Sequence, residues 1–240
     1  MDDHDDFPGF RALSFDCYGT LIDWETGILT ELRPWAAGHG LEARPDELLA
    51  AFGATETAVE SEHPTMRYPD VLGLVLERIG ARFGIAASPD ECADFGASVG
   101  RWPAFADTTD ALARLQERFM LIILSNVDRA SFAVSNERLG VEFDLILTAE
   151  DIGAYKPSPV NFAALIQGVA TLGVSQHELL HVAESLYHDH EPAAEIGLAS
   201  AWIHRRHDRS GSGATAPPKD AATAPARRYE SMATFAAAAV

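Results

Sequence analysis

Eight polar residues stand at or just beyond the ends of apolar runs and could carry chemistry: Asp16, Thr20, Ser125, Asn126, Lys156, Glu184, Ser185 and Asp189. An aspartate acts as a nucleophile when its carboxylate is kept ionised, and a lysine brought beside it supplies the cation that does so. Hydroxyls and an amide close by can donate to a developing oxyanion or to a leaving group. The set points to covalent chemistry on Asp16, with Lys156 holding the carboxylate ionised. Three other patterns carry less. His181, His188, Asp189 and His190 are suitable metal ligands by type. Neighbours on a strand point to opposite faces, however, so a solvated loop is expected there and no metal is assigned. Cys17 beside Asp16 is expected to be buried and unreactive. Residues 38–43, GHGLEA, match a degenerate dinucleotide fingerprint but follow a helical stretch instead of a strand, so they are set aside.

The elements that must position these residues can be read from the apolar pattern. Strand-length apolar runs lie at 12–15, 120–124, 145–147, 179–183 and 199–203. Helical stretches alternate with them and open on recognisable caps: Thr108 or Thr109, Asp128, Ser158 before Pro159, and Ser175 with Glu178. This alternation predicts an α/β fold, a Rossmann-like doubly wound parallel sheet with helices on both faces. In such sheets ligands bind beyond the carboxyl ends of the strands, where all eight polar residues fall.

Between the first strand and the next αβ unit the pattern changes. Four helices are predicted at 26–37, 45–60, 69–83 and 89–99, with Pro45, Pro69 and Pro89 in first turns and Pro34 ending or kinking the first. The predicted organisation is an α/β core domain made of residues 1–23 and 103–240, with residues 24–102 inserted as a helical cap domain. Trp24, Phe52, Met66, Arg67, Tyr68 and Trp102 are expected to shape the pocket from the cap side. Residues 210–226, rich in Gly, Ala, Pro and Ser, are expected to form an exposed loop before a short final helix.

The chain has 240 residues, 47% of them apolar, and a formal charge of −18. That charge argues against nucleic acid or an anionic membrane as partner, though a few placed cations could still serve a small anionic substrate. No apolar run reaches the roughly 18 residues that cross a bilayer, the first residues MDDHDDF are acidic, and there are only 2 cysteines. A cytoplasmic protein is the expectation.

Four motifs in order resemble those of the haloacid dehalogenase superfamily: FDCYGTLID at 15–23, LSN at 124–126, YKPSP at 155–159 and AESLYHD at 183–189. The form around Asp16 is similar to the type II 2-haloacid dehalogenase branch. That resemblance implies a hydrolase without a cofactor, in which Asp16 attacks the substrate carbon and forms an aspartyl ester. Asn126 would then receive the halide, Tyr18, Ser185 and Arg67 would contact substrate, with Arg67 meeting its carboxylate, and Asp189 or Ser125 would activate water. It also implies a homodimer. In the superfamily's phosphatases the residue two after the nucleophile is usually an aspartate that protonates the leaving alkoxide. Tyr18 here is a phenol with an ordinary pKa of about 10, a poor donor at neutral pH, whereas a halide needs no proton to leave. The alternatives are a Mg²⁺-dependent phosphatase with Asp16, the Tyr18 carbonyl and Asp189 or Glu184 as ligands, and a non-catalytic binding protein of the same fold.

Overall fold

A computed structural model describes residues 7, 9–209, 211, 213–218 and 224–240. Six parallel strands form one sheet in the order β3-β2-β1-β4-β5-β6. They are β1 (Ala12–Phe15), β2 (Met120–Ser125), β3 (Leu145–Thr148), β4 (Leu179–Ala183), β5 (Ser200–Ile203) and β6 (Arg227–Tyr229). Alternate residues of the central strands feed opposite faces, as the period of two requires. Leu13, Phe15, Leu121 and Ile123 join one apolar core. Ala12, Ile122 and Leu124 join a second, under Phe162, Leu165 and Val169 of α8 (Pro159–Thr171). Both faces are thus covered, which is why β1, β2 and β4 read as nearly continuous apolar runs instead of alternating ones.

Four helices follow β1: α1 (Trp24–Gly38), α2 (Pro45–Glu62), α3 (Tyr68–Arg82) and α4 (Pro89–Gly96). Prolines stand in the first turns of α2, α3 and α4, and the Ser88–Glu91 capping box opens α4. Pro34 lies inside α1 without ending it, and α4 stops earlier than expected, before a separate turn at Val99–Arg101. The remaining helices are α5 (Thr108–Gln116), α6 (Arg129–Asn136), α7 (Ala149–Ile152), α9 (Glu191–Glu195) and α10 (Met232–Ala239). Asp107, not Thr108 or Thr109, caps α5, and the Ser175–Glu178 box opens only a short turn.

The described part of the tail departs from the expected loop, residues 210, 212 and 219–223 of which lie outside the described residues. Ala214 and Thr215 are buried, with the Ala214 N–H donating to Glu25 Oε1 at 2.9 Å, and β6 then adds a sixth strand beside β5. The Ala214 carbonyl lies where a Cβ on Gly53 would stand, so glycine in α2 is what lets this segment approach.

Candidate active site

The strand order reverses direction at β1 and β4, and the loops leaving those two strands diverge there to leave a crevice. Asp16 follows β1 and continues its ladder through an N–H that donates to the Val182 carbonyl at 3.1 Å. The chain then turns tightly, with Gly19 at a φ of 97° that favours glycine, and Thr20 folds back over Asp16. Thr20 Oγ1 donates to Asp16 Oδ2 at 2.6 Å and accepts from the Glu184 N–H at 2.9 Å, so it ties the β1 loop to the β4 loop.

Lys156 Nζ donates to Asp16 Oδ1 at 2.9 Å, to Asp189 Oδ1 at 2.7 Å and to the Leu124 carbonyl at 3.0 Å. All three ammonium protons are therefore used. Lys156 is 2% exposed, and the desolvation of a lone ammonium at that depth would push its pKa down. Burial does oppose the charge, but the Asp16 and Asp189 carboxylates outweigh it and the pKa is raised. Burial pushes Asp16 up, with the Lys156 ammonium pulling against it. Asp189 ends below its ordinary value, because Lys156 and His181 together overcome burial. His181 completes the chain: Nε2 meets Asp189 Oδ1 at 2.9 Å and Nδ1 meets Ser14 Oγ at 2.8 Å. Ser14 and His181 sit opposite each other in the β1–β4 register, so the sheet itself sets that contact.

A cavity of about 40 Å³ opens above Asp16. Of the residues singled out from the sequence, Asp16, Tyr18, Trp24, Tyr68, Asn126, Lys156, Glu184, Ser185, His188 and Asp189 line it, whereas Phe52, Met66 and Trp102, expected to shape it from the cap side, do not. Thr20 reaches it through Asp16. Ser125 and Arg67 are not part of the wall. Ser125 Oγ is buried without a hydrogen-bond partner among the described residues, and Arg67 lies at the start of α3, 3.6 Å from both Asp128 and Glu150.

Asn126 lines the cavity but is not a free halide receptor. Its Oδ1 accepts the Lys156 N–H at 2.7 Å while Nδ2 donates to the Lys156 carbonyl at 3.1 Å, so its amide holds the lysine backbone in place. Tyr18 shares its hydroxyl with Ser135 at 2.9 Å and packs edge-on against Trp102, and burial raises its pKa well above the usual value. It is no proton donor. Ser185 Oγ accepts the His188 N–H at 3.0 Å and caps the turn Leu186–His190. The histidine-rich stretch is not a solvated loop, since His181 and His190 are buried. Nor does Asp189 cap the following helix: its side chain turns inward, onto Lys156 and His181.

A Mg²⁺ ion would draw on Asp16, the Tyr18 carbonyl and Asp189 or Glu184. The donor set does not fit it: Lys156 stands between the two carboxylates as their shared cation, and Thr20 and His181 occupy further lone pairs. Among the described residues, no group of three or more His, Cys, Asp or Glu side chains is placed to hold a metal.

Sequence reasoning missed Glu56 and Glu60. Both lie on α2, are buried, and line the cavity opposite Asp16. Their signal was present, since two acids one turn apart flank the apolar Val59, but acids on a helix ordinarily mark a solvated face. Thr215, which donates to Glu184 Oε2 at 3.0 Å, was hidden in the low-complexity tail.

A family model described as haloacid dehalogenase-like hydrolase matches residues 10–197. The chain belongs to this hydrolase family. Relatives differ in how much they share. An (S)-2-haloacid dehalogenase of Pseudomonas fluorescens is 27% identical over 106 residues, which span 43% of this chain and 45% of that protein. The chain thus matches less than half the length of that relative. The rhythmically expressed gene 2 protein of Drosophila melanogaster is 21% identical, covering 82% of this chain and 84% of its own. Among solved structures, a defluorinating L-2-haloacid dehalogenase superposes with a TM-score of 0.76 at 22% identity, covering 95% and 94% of the two chains. The L-2-haloacid dehalogenase of Xanthobacter autotrophicus, solved with chloropropionic acid covalently bound, gives 0.74 at 19% identity, covering 95% and 97%. At these identities the superpositions establish the fold. No helix among the described residues is long and apolar enough to cross a membrane.

Proposed function

We propose that this hydrolase breaks a carbon–halogen bond of a small 2-haloacid through an ester on Asp16, without a metal. The observation that carries the reading is the paired Asp16: one oxygen is held by Thr20 and the other by Lys156, and the carboxylate faces a small cavity. A carboxylate fixed this way is oriented for in-line attack and spends nothing on reorganising. One carboxylate oxygen bonds to the substrate carbon as the carbon–halogen bond breaks, and the halide leaves with the bonding pair. Water then adds to the ester carbonyl, Asp189 Oδ2 being the nearby acceptor that has no hydrogen-bond partner among the described residues. Alcohol is released and Asp16 is restored. Tyr18 in place of an acid costs this reaction nothing, whereas an alkoxide leaving group would lose roughly 10²- to 10⁴-fold. The covalently bound chloropropionic acid of the Xanthobacter structure is further support.

Residues 24–102 are proposed to act as a cap that encloses the site, with Trp24, Glu56, Glu60 and Tyr68 supplied from it. The test is halide release from chloro- and bromoacetate and 2-chloropropionate by wild type and Asp16→Asn, with Mg²⁺ and with EDTA, beside phosphate release from an aryl phosphate. EDTA-resistant halide release that falls at least ~10³-fold in the variant supports the reading. Mg²⁺-dependent phosphate release without halide replaces it with the phosphatase.

A further inference from the structure

A second cavity of about 40 Å³ lies beside the first. Trp24, Glu184 and Thr215 line both, so these three side chains form the partition between them. Two of the three are fixed by their surroundings. The Trp24 ring packs edge-on against Phe52 at 5.9 Å. Glu184 is held on both sides of its backbone: its N–H donates to Thr20 Oγ1 at 2.9 Å, and its carbonyl accepts from Trp202 Nε1 at 2.7 Å.

Thr215 comes from the tail, outside the strand ends and the cap helices, and Glu25 in the first turn of α1 brings it there. Glu25 Oε1 accepts the Ala214 N–H at 2.9 Å, while Oε2 accepts from Arg206 Nη1. The Ala214 carbonyl rests on α2 at Gly53. Thr215 is thereby buried in the partition, where its hydroxyl donates to Glu184 Oε2 at 3.0 Å. The second cavity has apolar surface from Trp24 and Phe105, and two of its arginines are neutralised, Arg205 by Asp107 and Arg206 by Glu25. It can therefore take the end of an uncharged chain once the partition is cut back. In an enclosed pocket one methylene more or less changes selectivity by about 10- to 200-fold, so a side chain as small as threonine is enough to set a size limit.

We propose that Thr215 is a specificity-determining residue: its side chain closes the cavity above Asp16 on the tail side and limits the chain length of the acid that enters. This deepens the haloacid reading of Asp16 and rests on it, but the size limit itself is read by binding alone.

The experiment is calorimetric titration of the full chain with propionate and with hexanoate, neither of which carries a halogen. Wild type is expected to bind hexanoate no more tightly than propionate. Thr215→Ala should raise the affinity for hexanoate relative to propionate about 10-fold, whereas Thr215→Val, which keeps the shape and loses the hydroxyl, should leave that ratio within about twofold. An unchanged ratio in Thr215→Ala overturns the proposal. So does an equal shift in Thr215→Val, which would trace the effect to the hydrogen bond with Glu184 instead of to size. Tighter binding of hexanoate by wild type, or no binding of either acid at millimolar concentration, overturns it as well. Halide release from 2-chloropropionate and 2-chlorohexanoate by the same proteins then tests the reading beneath it. A shifted binding ratio without halide release leaves Thr215 its role and removes the dehalogenase reading, while halide release without the shift does the reverse.

Discussion

On the strand side of the cavity Asp16, Lys156 and Asp189 are paired with one another. Asp16, Lys156, Asp189 and His181 form one buried chain of contacts between 2.7 and 2.9 Å. On the helical side, Glu56 and Glu60 face the same space with neutral donors only. The strand side is pre-organised for a reaction whose geometry must not vary. Among the described residues the helical side has no ion pair of its own, and burial raises the pKa of both glutamates.

The difference can be broken most forcefully at Lys156. Lys156→Met leaves two buried carboxylates without their cation, and breaking a buried ion pair from one side costs about 3–5 kcal/mol. Urea unfolding should register that loss, with halide release abolished. Unchanged stability would mean that the strand side is not the paired network described.

The second prediction concerns pH. Glu56, beside Tyr68 and Glu60, is raised to about 7, and Glu184, beside Thr215 and Glu25, to about 8. Their folded values lie above the unfolded ones, so this contribution is fully present at low pH and is lost as pH rises through 7 and 8. His188 and His190 are held near 4 by burial, and they act with the opposite sign below about 6.5. The melting temperature of the free protein should accordingly fall between about pH 6.5 and 8.5, by on the order of a few kcal/mol in stability. Glu184→Gln should flatten the fall, and an unchanged slope would contradict the assignment.

A smaller effect is expected at Gly53. Alanine is ordinarily favoured over glycine in a helix by about 1 kcal/mol. Here its Cβ would strike the Ala214 carbonyl, so Gly53→Ala should instead destabilise by about 1–3 kcal/mol, read by thermal unfolding. Tyr18→Phe should change least. It removes the hydrogen bond to Ser135, costing about 1 kcal/mol, and should leave the halide-release rate within about twofold, since no proton passes through the phenol.

The strand side was legible in the sequence because each reactive residue closes an apolar run, and parallel strands bring such closures to one edge. The fold class followed from the same runs. What stayed hidden has physical reasons. β6 is three residues long, Arg227, Arg228 and Tyr229, and among the described residues its only strand neighbour is β5, so it carries no apolar signature. Arg67 looked free as a cation near the pocket, yet its place at the start of α3 hands it to Asp128 and Glu150. Glu56 and Glu60 have the composition of a solvated helix face, and only the packing of α2 over the strand ends turns them inward. Asn126 was assigned by type, while its amide is spent on the Lys156 backbone.

The account stands or falls on whether Asp16 becomes covalently joined to substrate. Enzyme in excess over 2-chloropropionate in H₂¹⁸O separates the two routes in a single turnover. Ester formation on Asp16 predicts ¹⁸O in the Asp16 carboxylate, found by peptide mass spectrometry, and an unlabelled product hydroxyl. Label in the product with none in Asp16 would mean that water attacks the substrate directly, and the central claim would be wrong.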